Sequence, residues 1–176
     1  MDDKLVLVDL FDNEIGEATK VETHNKGLLH RAFSLFIVHN NEMLIQKRNR
    51  NKYHSGGLWT NACCSHPRHG ELIKDAVFRR AQEELGITSK FNEIFSFVYR
   101  HAFDNGIIEY EYDHVFISDY SGKIDPNLDE VEEYIWIELN DLSDDLINNP
   151  EKYTVWFQIA APKVLELMSR KDEKNN

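Results

Sequence analysis

Three sets of residues in this chain could do chemistry at close range. The first lies in Leu72–Leu85, which reads as a helix stopped by Gly86. At 100° per residue, Ile73, Val77 and Ala81 form one stripe, the face expected to meet a core. Arg80 and Glu84 fall within roughly 20° of Ile73, in the middle of that stripe. An i,i+4 ion pair usually sits on a solvated face, and buried charge is costly unless it is paired or bound to a metal. Glu84 is thus a candidate oxygen ligand for a Mg²⁺ shared with phosphate, with Arg80 bracing it. Glu83 lies at the stripe's edge.

The second set is Glu109, Glu111 and Asp113 in the run Ile107–Ile117. Strand alternation puts all three on the face of Ile107, Val115 and Ile117. Like charges this close hold either a proton or a cation between them. Asp113 is the most expendable of the three. The third set is the adjacent pair Cys63 and Cys64, with eight histidines elsewhere. Neighbouring cysteines close only a strained disulfide, so alone they read as two small buried hydrophobes. His24 and His30 flank the entry to a long apolar run, and His66 follows the cysteines. His39, His54, His69, His101 and His114 read as ordinary hydrogen-bonding residues. Three imidazoles joined by Glu109 and Glu111 would make a mixed N/O site suited to Mn²⁺, Mg²⁺ or Zn²⁺.

The elements that must position these groups can be read in chain order. Lys4–Leu10 reads as a strand, turning at Asp12-Asn13 into a second short extended piece, and residues 20–25 read as polar loop. Leu28–His39 is a strand that turns at Asn40-Asn41 into Met43–Arg48. Residues 49–57 are loop. After the helix, Phe91–Phe103 and Ile107–Ser118 are extended and joined through Asp104-Asn105-Gly106, and Glu130–Leu139 is another strand. Asp141–Asn148 and Thr154–Arg170 read as helices, with Pro162 kinking the second or marking its first turn. Mixed strands with a few helices fit a three-layer α/β sandwich.

At 176 residues the chain fits one domain over 1–176, with an N-terminal hairpin over 1–19 and a frayed tail over 171–176. Its 20 basic against 31 acidic residues give a net −11, which argues against a nucleic-acid surface. An anionic ligand would need a local cationic pocket or metal ions. No apolar run reaches the ~20 residues of a membrane span, and Met1–Leu5 lacks an apolar signal core. A cytoplasmic protein with no membrane partner is expected.

The run Ser65-x5-Glu71-x7-Arg79-Arg80-Ala81-Gln82-Glu83-Glu84-Leu85-Gly86-Ile87 resembles the Nudix signature, G-x5-E-x7-R-E-U-x-E-E-x-G-U. It departs at Ser65, Arg80 and Ala81, and Arg80 leaves the hydrolytic metal cluster one carboxylate short. The segments Thr60–Pro67, Leu29–Ser34 and Glu109-x-Glu111 together resemble the type I isopentenyl diphosphate isomerases, from about Lys20 to Trp156. The resemblance implies a Nudix-type α/β/α sandwich with a mixed sheet and a loop–helix–loop box. It also implies interconversion of isopentenyl and dimethylallyl diphosphate by a proton shift, in isoprenoid biosynthesis. Cys64, not Cys63, would be the catalytic thiol, Glu111 its partner across the double bond, and Tyr99 the tyrosine beside that glutamate. His24, His30, His66, Glu109 and Glu111 would bind one divalent metal, and Glu84 a Mg²⁺ that meets the diphosphate, with no flavin. Lys20, Arg48 and Lys52 match the diphosphate-binding cations, and Trp156 the aromatic over the hydrocarbon end. The substrate is a small-molecule diphosphate, and the protein is expected as a monomer or homodimer. A hydrolase of this fold would want Glu at position 80 and would need neither Cys64 nor the histidines.

Overall fold

The computed structural model describes residues 4–175, with side chains described through Arg170. The tail expected to fray, 171–176, lies outside the described side chains. The chain runs β1 (Lys4–Val8), β2 (Glu14–Thr19), α1 (Lys20–Lys26), β3 (His30–His39), β4 (Glu42–Arg48), β5 (Trp59–Thr60) and β6 (Cys63–Ser65). It continues through α2 (Ile73–Leu85), β7 (Asn92–Ala102), β8 (Ile108–Asp119), β9 (Val131–Glu138), α3 (Leu139–Asn148), a 3-10 turn at Pro150–Lys152, and α4 (Val155–Asn175).

β3 is the axis of a mixed sheet. Along one edge it pairs in parallel with β8, from His30 opposite Glu111 to Val38 opposite Asp119. Along the other it meets β1, β6 and β4 in turn, all antiparallel. β7 extends the sheet beyond β8, and β4 also carries β5 and β9. Helices cover both faces, so Ala32 to Val38 is buried throughout rather than alternating. Phe33, Leu35 and Ile37 pack with Val77, Ala81 and Leu85 of α2. Phe36 and Val38 point the other way, into Leu142 of α3 and Phe157, Ala160 and Val164 of α4. Phe36 stacks on Phe157 at 5.8 Å between ring centroids; burying each such ring contributes about 2–3 kcal/mol. The result is the expected α/β/α layering. Among the described residues no helix is long and apolar enough to cross a membrane.

Several elements differ from the sequence reading, each for a local reason. Residues 20–25 are not loop but most of α1, a seven-residue helix. Thr19 caps it by accepting from the Glu22 N–H, and Gly27 closes it in the left-handed region at φ 60°. A Cβ on Gly27 would stand 2.9 Å from Ile108, so backbone angle and close approach both call for glycine. α1 has no apolar stripe for periodicity to detect. β5 and β6, two and three residues long, are too short to show alternation. β1 ends at Val8, earlier than expected, because Asp9 Oδ1 accepts from the N–H groups of Phe11 and Asn13 and folds the turn. Of the two placements expected for Pro162, the structure has the one inside α4, where it removes the helical bond to the Gln158 carbonyl.

Candidate active site

A cleft is lined by Lys20, Arg48, Lys52, Cys64, Glu84 and Glu111, among others. At its floor two strands, one helix and the loop after β6 gather three imidazoles around two carboxylates. His24 comes from α1, His30 from the start of β3, His66 from just beyond β6, and Glu109 and Glu111 from β8. The ring nitrogens show which lone pairs face inward. His24 Nδ1 lies 2.6 Å from the Lys20 carbonyl oxygen and His30 Nδ1 lies 2.9 Å from that of Leu28. A carbonyl only accepts, so each Nδ1 carries a proton and donates. In the neutral rings that leaves each Nε2 a bare lone pair.

Those lone pairs converge. Nε2 of His24 and of His30 lie 3.1 and 3.7 Å from Glu109 Oε2. With the proton on Nδ1 these approaches are not hydrogen bonds, and all three atoms are buried without a hydrogen-bond partner among the described residues. One ligand atom each from His24, His30, His66 and Glu109 lies within 4.8 Å of the others, a set that could hold a divalent metal. Glu111 borders it, with Oε1 2.8 Å from His66 Nε2 and 3.6 Å from His30 Nε2. Burial opposes a charge on His30, but the nearby carboxylates of Glu111 and Glu109 more than offset it and raise its pKa. Burial pushes His66 down to about 4. The carboxylates that draw a proton to His30 would equally draw a metal cation.

Glu111 turns its other oxygen to the Tyr99 hydroxyl, which donates at 2.7 Å. Burial acts to raise the Glu111 carboxyl, as does Glu109, but His30 and His66 hold it below its ordinary value. Cys64 enters the same cleft on β6, where alternation separates the two thiols. Cys63 is fully buried in the α2-side core, whereas Cys64 packs toward the α4 side. Asn61 fixes this turn by donating to the carbonyls of Leu35 and Cys63 at 3.2 and 2.6 Å. Burial pushes the Cys64 thiol up to about 12, opposed by the Arg48 guanidinium, whose Nη1 lies 3.8 Å from the sulfur. The guanidinium carbon also sits 5.2 Å from the Trp156 ring centroid. Trp156 is buried beside it.

The cleft's opposite wall is a chain of ion pairs. Glu84 is 5% exposed; its Oε1 accepts from Arg80 at 2.5 Å and its Oε2 from Gln46 at 3.1 Å. Arg80 also binds Glu83 at 2.6 Å and reaches Glu130 at 3.6 Å, while Lys52 pairs with Glu130. Lys20 stands over the Tyr53 ring, 4.8 Å from its centroid, and burial lowers its pKa.

All twelve residues singled out as site candidates line this cleft or its floor. Four others, which the sequence reading did not foresee, also line it. His54, read as ordinary, is buried with Nε2 2.7 Å from Glu109 Oε1. Tyr53, Gln46 and Glu130 also line the cleft. Asp113 is 1% exposed and accepts from the Ser34 hydroxyl at 2.8 Å; burial first, and then Glu111, raise its pKa well above the carboxylate range. Its position on the buried face was the available signal. His54 and Tyr53 gave none, because loop residues have no period. His39, His69, His101 and His114 bond or stack away from the cleft.

Residues 28–157 match the NUDIX domain. The chain is 48% identical over 173 residues to isopentenyl-diphosphate Delta-isomerase 2 of Photorhabdus laumondii, covering 98% of this chain and 96% of that protein. To the isopentenyl-diphosphate Delta-isomerase of Serratia proteamaculans it is 45% identical over 158 residues, 89% of this chain and 88% of that one. Among solved structures, DR0079 from Deinococcus radiodurans superposes with a TM-score of 0.74 at 15% identity, over 91% of this chain and 98% of that one. The MutT protein from Methanosarcina mazei Go1 does so at 0.64 and 19%, over 82% and 95%. At these identities the two structures share the fold alone. With a NUDIX domain across most of its length and relatives this similar nearly end to end, the chain belongs to the isopentenyl-diphosphate Delta-isomerase family.

Proposed function

We propose that the protein interconverts isopentenyl and dimethylallyl diphosphate by a 1,3-allylic proton shift. The observation that carries this reading is a half-buried thiol, Cys64, and a tyrosine-bonded carboxyl, Glu111, lining one cleft whose wall also holds Lys20, Arg48 and Lys52. Protonating an unactivated alkene needs an acid and a base on opposite sides of the substrate and a site that excludes water. Cys64 and Glu111 hold one transferable proton between them, since burial keeps the thiol protonated while His30 and His66 keep the carboxyl ionised. One member gives a proton to one end of the allylic unit and the other takes a proton from the far end. The double bond moves, and the pair finishes with its proton exchanged. Run backwards, the same steps regenerate the starting state, which suits a reversible isomerisation. The Trp156 ring can stabilise the developing tertiary cation by on the order of 2 kcal/mol.

His24, His30, His66 and Glu109 would hold one divalent metal, Mn²⁺, Mg²⁺ or Zn²⁺, with Glu111 beside it; the orphaned lone pairs support that fit. Glu84 would meet a Mg²⁺ arriving with the diphosphate, together with Lys20, Arg48 and Lys52. When bound, these ions supply charge neutralisation for the carboxylates and the diphosphate. The catalysis needs no flavin. Arg80, bonded to Glu84, replaces the carboxylate a Nudix hydrolase would use to aim water at phosphorus, which favours a diphosphate left intact. The deciding experiment incubates the purified protein with isopentenyl diphosphate and Mg²⁺ in D₂O, followed by NMR. Deuterated dimethylallyl diphosphate is expected. Release of phosphate or pyrophosphate without isomer would reject the isomerase in favour of a hydrolase.

A further inference from the structure

We infer that His54 is a positioning residue that sets the metal-facing oxygen of Glu109 and ties the cationic mouth of the cleft to its floor. This rests on the reading of His24, His30, His66 and Glu109 as a metal site. Glu109 is buried, and its two oxygens have different surroundings. Oε2 faces the lone pairs of His24 and His30 and lacks a hydrogen-bond partner among the described residues. Oε1 lies 2.7 Å from His54 Nε2. With the Nε2 lone pairs of His24 and His30 turned toward the carboxylate, the donor to Glu109 is His54.

The imidazoles around this carboxylate therefore divide into two kinds. His24 and His30 give their protons to backbone carbonyls and turn Nε2 lone pairs inward. His54 takes the opposite tautomer: Nε2–H donates to Glu109, and Nδ1 is left to accept from the Ser55 hydroxyl at 3.2 Å. His54 is not among the residues whose ligand atoms converge within 4.8 Å of one another, so it acts through Glu109 rather than on the metal. A buried carboxylate free to rotate would offer either oxygen; one held by His54 offers Oε2 only.

The ring itself is fixed from several sides. It stacks on Phe103 at 4.5 Å and 17° and meets the edges of Tyr53 and Trp156 at 4.4 and 5.8 Å. Its loop is anchored by Asn105 Nδ2, which donates to the Tyr53 carbonyl at 2.8 Å, and by Arg48 Nη2, which donates to the His54 carbonyl at 3.4 Å. The same loop carries Lys52 at the cleft mouth. A displacement of the loop at Lys52 is thus transmitted to Glu109 through two covalent neighbours and one hydrogen bond.

The test is direct titration with Mn²⁺, following free ion by its paramagnetic resonance, on the wild type, His54→Ala, His54→Gln and Glu109→Gln. Circular dichroism checks the fold of each. His54→Ala should weaken the tight site roughly 10- to 100-fold, the range for loss of an outer partner of a metal ligand. His54→Gln, whose amide N–H can still donate, should recover binding to within a few fold of wild type. Unchanged affinity in His54→Ala would overturn the assignment. So would equal losses in both variants, because then ring packing and not the N–H would matter. A wild type without a tight Mn²⁺ site, or one indifferent to Glu109→Gln, would instead remove the metal reading, and the role of His54 with it.

Discussion

Two charged clusters face the same cleft and differ in how they are satisfied. At the floor, the Nε2 atoms of His24 and His30 and Oε2 of Glu109 are buried without hydrogen-bond partners among the described residues. On the opposite wall, both oxygens of Glu84 are engaged by Arg80 and Gln46, and Lys52 pairs with Glu130. Converging bare lone pairs repel unless a cation lies between them, the arrangement that a divalent-metal site requires. The wall neutralises itself. An incoming anion would have to compete with Glu84 and Glu130 for these cations. On the function proposed above, the first cluster would bind a resident cation and the second would capture an incoming anion.

If chemistry belongs to the pair and not to either cluster, removing a pair member should have the largest effect. Cys64→Ala and Glu111→Gln are each expected to lower kcat by about 10³-fold or more, near the upper range for losing a general acid or base. Cys63→Ala, in the α2-side core, should stay within a few fold of wild type. Steady-state kinetics on the three variants tests this, and the reverse pattern for the cysteines would break the comparison at its centre.

Metal removal addresses the floor next. EDTA should abolish turnover and lower Tm by about 5–10 °C, as expected when a ligand held well above its Kd is withdrawn from a chain of this size. Mn²⁺ should restore both, and added flavin should restore neither. An EDTA-treated protein with full activity and unchanged Tm would make the floor a purely structural cluster.

The wall should respond in stability. Arg80→Ala leaves Glu84, 5% exposed, without its main partner. A fully buried pair broken on one side costs about 3–5 kcal/mol; Arg80 is partly exposed, so about 2 kcal/mol is expected in urea denaturation. Glu130→Gln, which loosens a more exposed pair with Lys52, should cost under about 1 kcal/mol. Equal costs would mean that the wall is not organised around Glu84.

The two clusters also differ in how far the sequence announced them. Glu109 and Glu111 were legible because alternation put them on the same face as Val115 and Ile117, where charge has no bland explanation. Glu84 and Arg80 were legible for the same reason at helical period. The long strands and α2 followed from the same two periodicities. The separation of Cys63 from Cys64 rests on β6, too short to be read from pattern, and came only through resemblance. α1, which delivers His24, is a polar seven-residue helix held by Thr19 and Gly27 rather than by an apolar stripe. His54 and Tyr53 reach the cleft on a loop, and the bonds of Asn105 and Arg48 that place them join residues distant in the chain or aperiodic in pattern. Short capped elements and loop anchors carry no period, and this site depends on both.

A further small effect concerns pH and the floor without metal. The His66 pKa falls from 6.5 to about 4 on folding, with burial as the main cause, so between those values the unfolded chain binds more protons than the folded one. Stability therefore rises with pH across this window and is lost as pH falls from 6.5 toward 4. Glu111, held low in the fold, adds loss of the same sign further into acid. His30, raised in the fold, works in the opposite sense: its contribution is present below 6.5 and fades as pH climbs. Shared among these three, the His66 part is expected to be about 1 kcal/mol, well under the roughly 3 kcal/mol that the shift alone would imply. Urea denaturation of the metal-free wild type and of His66→Asn at pH 6.5 and pH 4.5 measures it. The wild type should lose more stability than the variant over that interval. A variant that loses as much would mean that His66 titrates normally in the fold, and that the floor does not keep its imidazole neutral for a metal.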